Sequence, residues 1–415
     1  MNRPLKLGVI GNSGYAAELI KRIWSVPYTA EVVEVASLDS EGAFSGLCRR
    51  HGARVHPNVD AMLAEARETC DAVMNPTPIH LHLPLSVKCL EYGLPVLLEK
   101  PPVATIQEFD ELVRIKNRNK GRIGVCFNSL YSHLLHRLKD ELVAGKYGRI
   151  LGIRTVGAWI RTNAYFNRSD WSGKLMLNGN WILDGSLNNS FAHGLSNSLY
   201  LAGTDLSSFA IPETVQAELY RLPSSESEST SSVRIKAANG TSILCNFSLV
   251  APSEMAPTTC IDTEVARIEL IDFSSCRIQY HSGGLEVRET YKENRIEMLE
   301  SFQRSLILDK SFDCELEGCR PFTLAVNGAF ESSGFQTPVD SDEIRQEGTG
   351  ESRRVFISDL NDVLRKAHES GQLISETGVK WGEEGSIVSV SDYSKFPQNP
   401  VLSSLEASSV EAIKS

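Results

Sequence analysis

The chain has 415 residues, long for one domain and sufficient for two, and a net charge of −10 from 42 Lys plus Arg against 52 Asp plus Glu. Hydrophobic residues make up 41% and charged residues 23%, which excludes collagen-like and wholly disordered chains. No apolar run reaches the roughly 18–20 residues that cross a bilayer, so no membrane partner is expected. The acidic balance argues against a nucleic-acid partner, whose phosphates call for clustered cations.

Leu5–Ile10 reads as a strand that starts almost at once, so no secretion signal is expected ahead of it. Ala16, Leu19, Ile20 and Ile23 recur at helical spacing. Val32–Leu38, Ala72–Met74, Val96–Leu98 and Ile123–Phe127 read as further strands, with a helix marked by Phe109, Leu112, Val113 and Ile115. Apolar strands separated by helices imply a parallel, doubly wound sheet. After Asn128 the texture changes. A helix fits Leu134–Ala144, and alternating segments follow at Ile150–Val156, Val215–Arg221, Val233–Ala237, Ser242–Leu249, Val265–Ile271 and Arg277–His281. They imply a second, α+β domain on a large, mainly antiparallel sheet. Ser224–Ser232 reads as an exposed hairpin tip, Leu299–Leu308 and Pro321–Ser333 as late helices, Gln336–Arg353 as loop, and the Ser-rich end from about Lys395 as frayed. The nine cysteines are scattered and hold no C-x-x-C pair. They read as small buried residues of a reducing compartment, the cytoplasm, and no metal site is expected.

Gly11-Asn12-Ser13-Gly14-Tyr15-Ala16 follows the first strand and opens the first helix. A dinucleotide turn needs a tight bend, a close backbone approach to pyrophosphate and a small packing residue. Gly11 supplies the bend and Ala16 the packing; Ser13 stands in the middle glycine position, with Gly14 beside it for the close approach. The helix N-terminus then offers free N–H groups to phosphate. Asp39, at the end of the second strand, can accept both ribose hydroxyls of NAD and repel a 2′-phosphate, which favours NAD over NADP.

Thr77-Pro78-Ile79-His80-Leu81-His82 and Glu99-Lys100-Pro101 follow two later strands, where sheets of this kind bind ligands. The glycine turn, the TPxxxH segment and the EKP tripeptide, in that order, resemble the Gfo/Idh/MocA oxidoreductases. Gly145-Lys146-Tyr147-Gly148-Arg149-Ile150 and Trp171 agree, and the resemblance covers about residues 5–335. It implies a Rossmann NAD-binding domain over 1–126, a substrate-binding and oligomerisation domain over 127–335, and a C-terminal extension over 336–415. It also implies an NAD-dependent dehydrogenase of a sugar, inositol or related polyol, working as a homodimer or homotetramer. Cofactor contacts are implied for Gly11, Ser13, Gly14, Tyr15 and Asp39, for Thr77, Pro78 and His82, and for Glu99, Lys100 and Asn128.

Lys100 is expected to orient or share a proton with the reacting hydroxyl, desolvation and a cationic nicotinamide lowering its pKa. Glu99 is expected on the cofactor ribose or paired with that lysine, and Pro101 to fix the local chain through a cis bond. The family's D-x-x-x-H pattern has two registers in Asp184–His193. One aligns Asp184 and leaves Asn188 in the histidine place; the other, preferred, puts His193 in the histidine place and Asn189 in the aspartate place, about ten residues before Gly203. His193 is then the general base at a helix start, Asn189 orients it or binds a hydroxyl, and Asp184 is a displaced partner or a structural residue. Tyr131, Tyr165, Arg168, Trp171 and Lys174 are candidates for substrate contact, the rings for sugar C–H faces and the cations for hydroxyls or a carboxylate. Two other readings stay open: an NAD-dependent glycosidase that oxidises its substrate transiently, and a non-catalytic nucleotide-binding regulator.

Overall fold

A computed structural model of the chain describes residues 3–222, 225–290, 294–334, 337–339 and 341–414. The chain forms two compact units, one of Met1–Val103, Glu108–Tyr131 and Glu293–Cys319, the other of Ala104–Gln107, Ser132–Lys292 and Arg320–Ser415.

The first unit alternates strand and helix: β1 (Leu5–Ile10), α1 (Gly14–Trp24), β2 (Ala30–Ala36), α2 (Ala43–Arg50), β3 (Arg54–His56), α3 (Val59–Thr69), β4 (Ala72–Asn75), α4 (His82–Glu91), β5 (Val96–Leu98), α5 (Ile106–Arg118) and β6 (Ile123–Val125). The strands are parallel in the order β3-β2-β1-β4-β5-β6, so the topology switches direction between β1 and β4. β4, β5 and β6 are buried throughout, as strands covered on both faces must be. β3 is three residues long and carries no buried residue, which is why no apolar run announces it. A buried carboxylate holds it instead: Glu34 of β2 pairs with Arg54 and lies 2.7 Å from His56 Nε2.

A helix from far along the chain, Arg295–Leu308, completes this unit. Gln303 Nε2 donates to the carbonyl of Arg3 at 2.9 Å, and Arg122 donates to the carbonyl of Ser305 at 2.9 Å. The segment after it covers the β6 edge, where the N–H of Val125 donates to the carbonyl of Cys314 at 2.9 Å.

The second unit runs through α6 (His133–Val143), β7 (Ile150–Ile160), α7 (Asn163–Phe166), the small hairpin β8 (Met176–Leu177) and β9 (Asn180–Trp181), and α8 (Ala192–Leu201). Then come β10 (Pro212–Arg221), β11 (Thr230–Ala237), β12 (Ser242–Ser248), β13 (Val250–Thr263), β14 (Ala266–Ile271), β15 (Ser275–Tyr280) and β16 (Leu285–Glu289). The large sheet has the order β16-β15-β14-β13-β7-β12-β11-β10, with Thr337–Pro338 and Val388–Ser389 added at β10. It is antiparallel except for β7 with β12 and β10 with Thr337–Pro338. β13, its longest strand, contains Pro252 and Pro257 and three register shifts against β7; these break the alternation that would betray it.

Successive residues of β7 serve opposite faces. Thr155 Oγ1 lies 2.7 Å from Ser198 Oγ of α8, while Arg154 donates to the carbonyl of Glu369 on the helix Leu360–Ser370. The sheet is therefore covered on both faces at its centre. Leu360, Val363, Leu364 and Ala367 of this helix are buried.

Other expectations change as well. Ser224 and Gln336 lie outside the described residues. Ser227–Ser232 is buried rather than an exposed tip, with Thr230–Ser232 inside β11. The expected loop before Arg353 contains Ile344–Glu347, which pairs with Arg354–Ile357. The chain end is helical from Pro400 to Lys414, and Glu406 accepts the indole N–H of Trp181 at 3.0 Å.

α8 ends on a buried cation. Lys139 of α6 is fully buried, and its Nζ donates to the carbonyls of Tyr200 (2.6 Å) and Gly203 (2.7 Å) at the helix C-terminus. Burial pushes this ammonium down to about 8. Lys139→Met keeps the length but leaves those carbonyls without a donor. It is expected to cost about 2–4 kcal/mol of stability, read as a lower urea midpoint with an unchanged slope.

Candidate active site

In the first unit the glycine loop takes the shape its sequence calls for. Gly11 has φ +95° and its N–H donates to the carbonyl of Ala36 at 2.9 Å; a Cβ there would sit 3.6 Å from that of Ala16. Gly14 has φ +51° and faces open space. α1 carries no acidic residue in its first turn and no side-chain cap from Ser13. These are the features a pyrophosphate needs at a helix N-terminus, so the loop fits NAD. Asn12 locks it to the end of β2, accepting from Ser37 Oγ (2.7 Å) and donating to Ser45 Oγ (2.8 Å). Ser45 in turn donates to the carbonyl of Asp39 at 2.6 Å. The Asp39 carboxylate is exposed and stands so close over Gly42 that any Cβ there would collide with it.

The TPxxxH and EKP segments are tied together by His82. This ring is buried, with Nδ1 2.9 Å from the carbonyl of Pro101 and Nε2 2.8 Å from that of Thr77. Burial pushes its pKa down to about 4. The cofactor contact expected of His82 is corrected: the ring is enclosed between the backbone carbonyls of Thr77 and Pro101, so it positions the Lys100–Pro101 turn, whose peptide bond is cis. Thr77 Oγ1 donates to the buried Asn75 at 2.7 Å, and Pro78 is half-buried beside it.

Glu99 is buried and Lys100 half-buried. Glu99 lies 3.5 Å from Arg295, and Lys100 contributes its backbone N–H to the Glu99 carboxylate at 3.3 Å. Burial pushes the Glu99 carboxyl up, and Arg295 is the largest opposing influence. Arg295 also donates to the Tyr15 hydroxyl at 3.4 Å, so it clamps the glycine loop to the EKP turn. Tyr15 itself stays 46% exposed. Asn128 opens a short 3-10 turn that ends at Tyr131. The substrate contact expected of Tyr131 is corrected, because its ring is buried 5.4 Å from that of Phe312.

In the second unit, every residue from Trp181 to Gly203 is buried except Asn189 and His193. The two are four apart, the spacing that puts side chains on one helical face. Ser186–Ser190 is a single π-helical turn, a local distortion frequent at functional sites. His193 is the second residue of α8. Asn188 is buried with Nδ2 3.4 Å from the carbonyl of Ile182, so it does not reach the surface that His193 reaches.

Asp184 is buried and partnered. Its carboxylate accepts from Asn189 Nδ2 (2.7 Å), from the N–H of Gly173 (2.7 Å) and from Arg168 (3.4 Å). Arg168 also lies 3.8 Å over the ring of Tyr165 and 4.9 Å over that of Trp171, while Tyr165 bonds Ser190 at 3.0 Å. Lys174 stands 3.9 Å from Glu226. Asp184, Asn189, Arg168, Tyr165 and Trp171 thus form one cluster around the π turn, with Lys174 on the loop beside it.

Sequence reasoning missed Glu228 beneath that turn. Its carboxylate accepts from the N–H of Leu187 (2.9 Å) and the hydroxyl of Ser227 (2.8 Å), and a Cβ on Gly185 would collide with it. A serine-rich stretch gave no hint of burial. Burial pushes the Glu228 carboxyl up to about 7 from an ordinary 4.5, against the pull of the Leu187 N–H.

The folded state therefore holds this proton where the unfolded state has released it. Its contribution to stability is full below about pH 4.5 and is lost as pH rises through about 7. Glu228→Gln keeps the shape and removes the titration. Relative to the variant, the parent is expected to lose up to about 3 kcal/mol between pH 4.5 and 8. Thermal unfolding of both across that range checks this, and parallel curves would assign the titration elsewhere.

Comparison with known proteins adds family and fold. Residues 5–127 match the family described as oxidoreductase family, NAD-binding Rossmann fold. Inositol 2-dehydrogenase of Corynebacterium glutamicum is 28% identical over 156 residues, 37% of this chain and 45% of that protein. Inositol 2-dehydrogenase/D-chiro-inositol 3-dehydrogenase of Lacticaseibacillus casei is 29% identical over 152 residues, 36% of this chain and 43% of that protein. The chain thus spans less than half the length of these curated relatives. Among solved structures, the WlbA dehydrogenase of Bordetella pertussis in complex with NADH and UDP-GlcNAcA has a TM-score of 0.68 at 20% identity, over 80% of this chain and 97% of that one. GenD2 from gentamicin A biosynthesis, in complex with NAD, has a TM-score of 0.65 at 17% identity, over 80% and 94%. At these identities the likeness is one of fold.

Proposed function

We propose that the chain, whose residues 5–127 match the NAD-binding Rossmann family of oxidoreductases, is an NAD-dependent dehydrogenase of the Gfo/Idh/MocA kind acting on a CH–OH group of a sugar, inositol or related polyol. The observation that carries this reading is the pair Asn189 and His193, open in a stretch otherwise buried from Trp181 to Gly203. The inositol dehydrogenase relatives and the sugar-nucleotide ligand of the WlbA structure support the substrate class.

When bound, NAD supplies the acceptor for the hydride leaving the carbinol carbon. The glycine loop, Thr77, Pro78, Asn128 and the Arg295-held Glu99 are the residues to hold it, with Asp39 at the ribose. His193 takes the hydroxyl proton. It is the second residue of α8 and is placed to act as a general base. Lys100, on the first unit, is the residue proposed to orient or share a proton with a substrate hydroxyl. Asn189, whose Nδ2 donates to Asp184, orients His193 or meets a substrate hydroxyl. Arg168, Tyr165 and Trp171 present a cation and flat faces to the ring.

A homodimer or homotetramer in the cytoplasm is the proposed working form. Its contacts fall outside the covered centre of the sheet, and the edge strand β16, with Leu285 and Val287 about half exposed, offers one surface.

Lys100→Ala and His193→Ala are each expected to lower kcat about 10²–10⁴-fold with NAD affinity nearly intact. NADH absorbance on a sugar and polyol panel supplies the assay. A substrate consumed without net NADH would favour the glycosidase, and nucleotide binding without turnover the regulator.

The cofactor preference is tested separately. Asp39→Ala is expected to narrow the preference for NAD over NADP, read by titrating both nucleotides. An unchanged affinity ratio would remove Asp39 from the ribose.

A further inference from the structure

The second unit contains a groove of about 820 Å³, whose walls include Arg161, Gly173, Lys174, Glu226 and Arg353. It adjoins the π turn through shared residues. The N–H of Gly173 donates to Asp184, which holds Asn189, and Tyr165, on the same loop, bonds Ser190. The volume lies toward the upper end of the ~300–1,000 Å³ typical of small-molecule pockets, and leaves room beyond a single sugar ring.

Its cations are placed unusually. The Arg161 guanidinium lies 4.9 Å over the ring of Trp159 and 4.7 Å over that of Tyr165, which hold it flat. Its Nε has no hydrogen-bond partner among the described residues, and its Nη1 reaches only the carbonyl of Ile160, at 3.4 Å. Arg353 has one side-chain partner among the described residues, the neutral Gln346 at 2.8 Å. Neither arginine makes an ion pair among the described residues. The groove's two carboxylates do not change this: Glu226 stands at Lys174, and Asp170 pairs with neither arginine. Arg353 belongs to the chain beyond residue 336, and Asn163 ties that segment to the groove rim. Asn163 donates its N–H to the carbonyl of Arg353 (2.8 Å) and its Nδ2 to that of Gly350 (3.1 Å).

A guanidinium is a rigid fork of donors whose best partner is a planar or tetrahedral oxyanion. A neutral polyol needs no such pair. We propose that this groove is a subsite for an anionic substituent of the substrate, a carboxylate or a phosphate, held by Arg161 and Arg353. The proposal rests on the dehydrogenase reading for the rest of the substrate, and it gives the C-terminal segment a role in choosing that substrate.

The test reads binding rather than turnover. Calorimetry on the full, NAD-loaded chain compares D-glucose, D-glucuronate and UDP-glucose. At least one anionic probe is expected to bind about tenfold or more tightly than glucose, an advantage that 0.5 M KCl weakens. A preference for glucuronate identifies the carboxylate, and one for UDP-glucose the phosphate. Arg161→Gln and Arg353→Gln are each expected to remove about tenfold of that advantage while glucose and NAD affinities hold. Arg353→Gln gives up one exposed contact to Gln346, so it carries the test if Arg161→Gln fails to fold. Anionic probes that bind no better than glucose, or not at all at 10 mM, overturn the proposal, as does an advantage that survives Arg353→Gln. NADH formation on the polyol panel is scored apart, so failure of the chemistry and failure of the subsite remain distinct.

Discussion

The second unit depends on how closely α8 approaches its sheet. Gly157 of β7 and Gly194 of α8 face the rings of Phe191 and Phe247, and a Cβ at either glycine would stand 2.5 Å or 2.9 Å from ring carbon. The two rings stack at 4.8 Å with planes 4° apart. Interiors packed this tightly transmit any displacement, so the height of α8 above the sheet is set to within a methyl group. That height places His193. Lys139 fixes the far end of the helix and Glu228 the turn that precedes it, which leaves the stretch between with one way to lie.

The same economy suits an asparagine beside a buried aspartate. Asp184 and Asn189 share a 2.7 Å hydrogen bond. Two carboxylates at that distance would not both ionise. Asp184 is the buried member and accepts from the Gly173 N–H and Arg168, while Asn189 is half-buried.

What could be read from sequence follows from where the signal lies. Apolar runs gave the inner Rossmann strands, and glycines at points of close approach gave the phosphate loop. Even the ten-residue spacing from His193 to Gly203 has a physical cause, since a Cβ on Gly203 would strike the carbonyl of Ser208 and crowd Lys139. Features made by pairing across long stretches left no local trace. β3 rests on Glu34, the EKP turn on Arg295, the π turn on a glutamate within a serine run. The helix Leu360–Ser370 had a clear apolar face but no sign of what it covers. Side chains listed by type alone were the least legible: Tyr131 and His82 suit a binding role chemically, and burial assigns both to structure.

The order of segments has a consequence for how the chain is made. The Rossmann unit draws Glu293–Cys319 from beyond the whole of Ser132–Lys292. At about 5–20 residues per second on a ribosome, some 160 intervening residues take on the order of ten seconds or more. Through that interval the β6 edge lacks the segment that covers it, and Glu99 lacks the arginine beside it. Central strand β7 waits too, because its parallel partner β12 starts about 80 residues after β7 ends. The first unit to emerge is thus not closed until most of the second has followed it. Its nascent form is a sheet with an open edge, the kind of surface chaperones recognise and misassembly exploits.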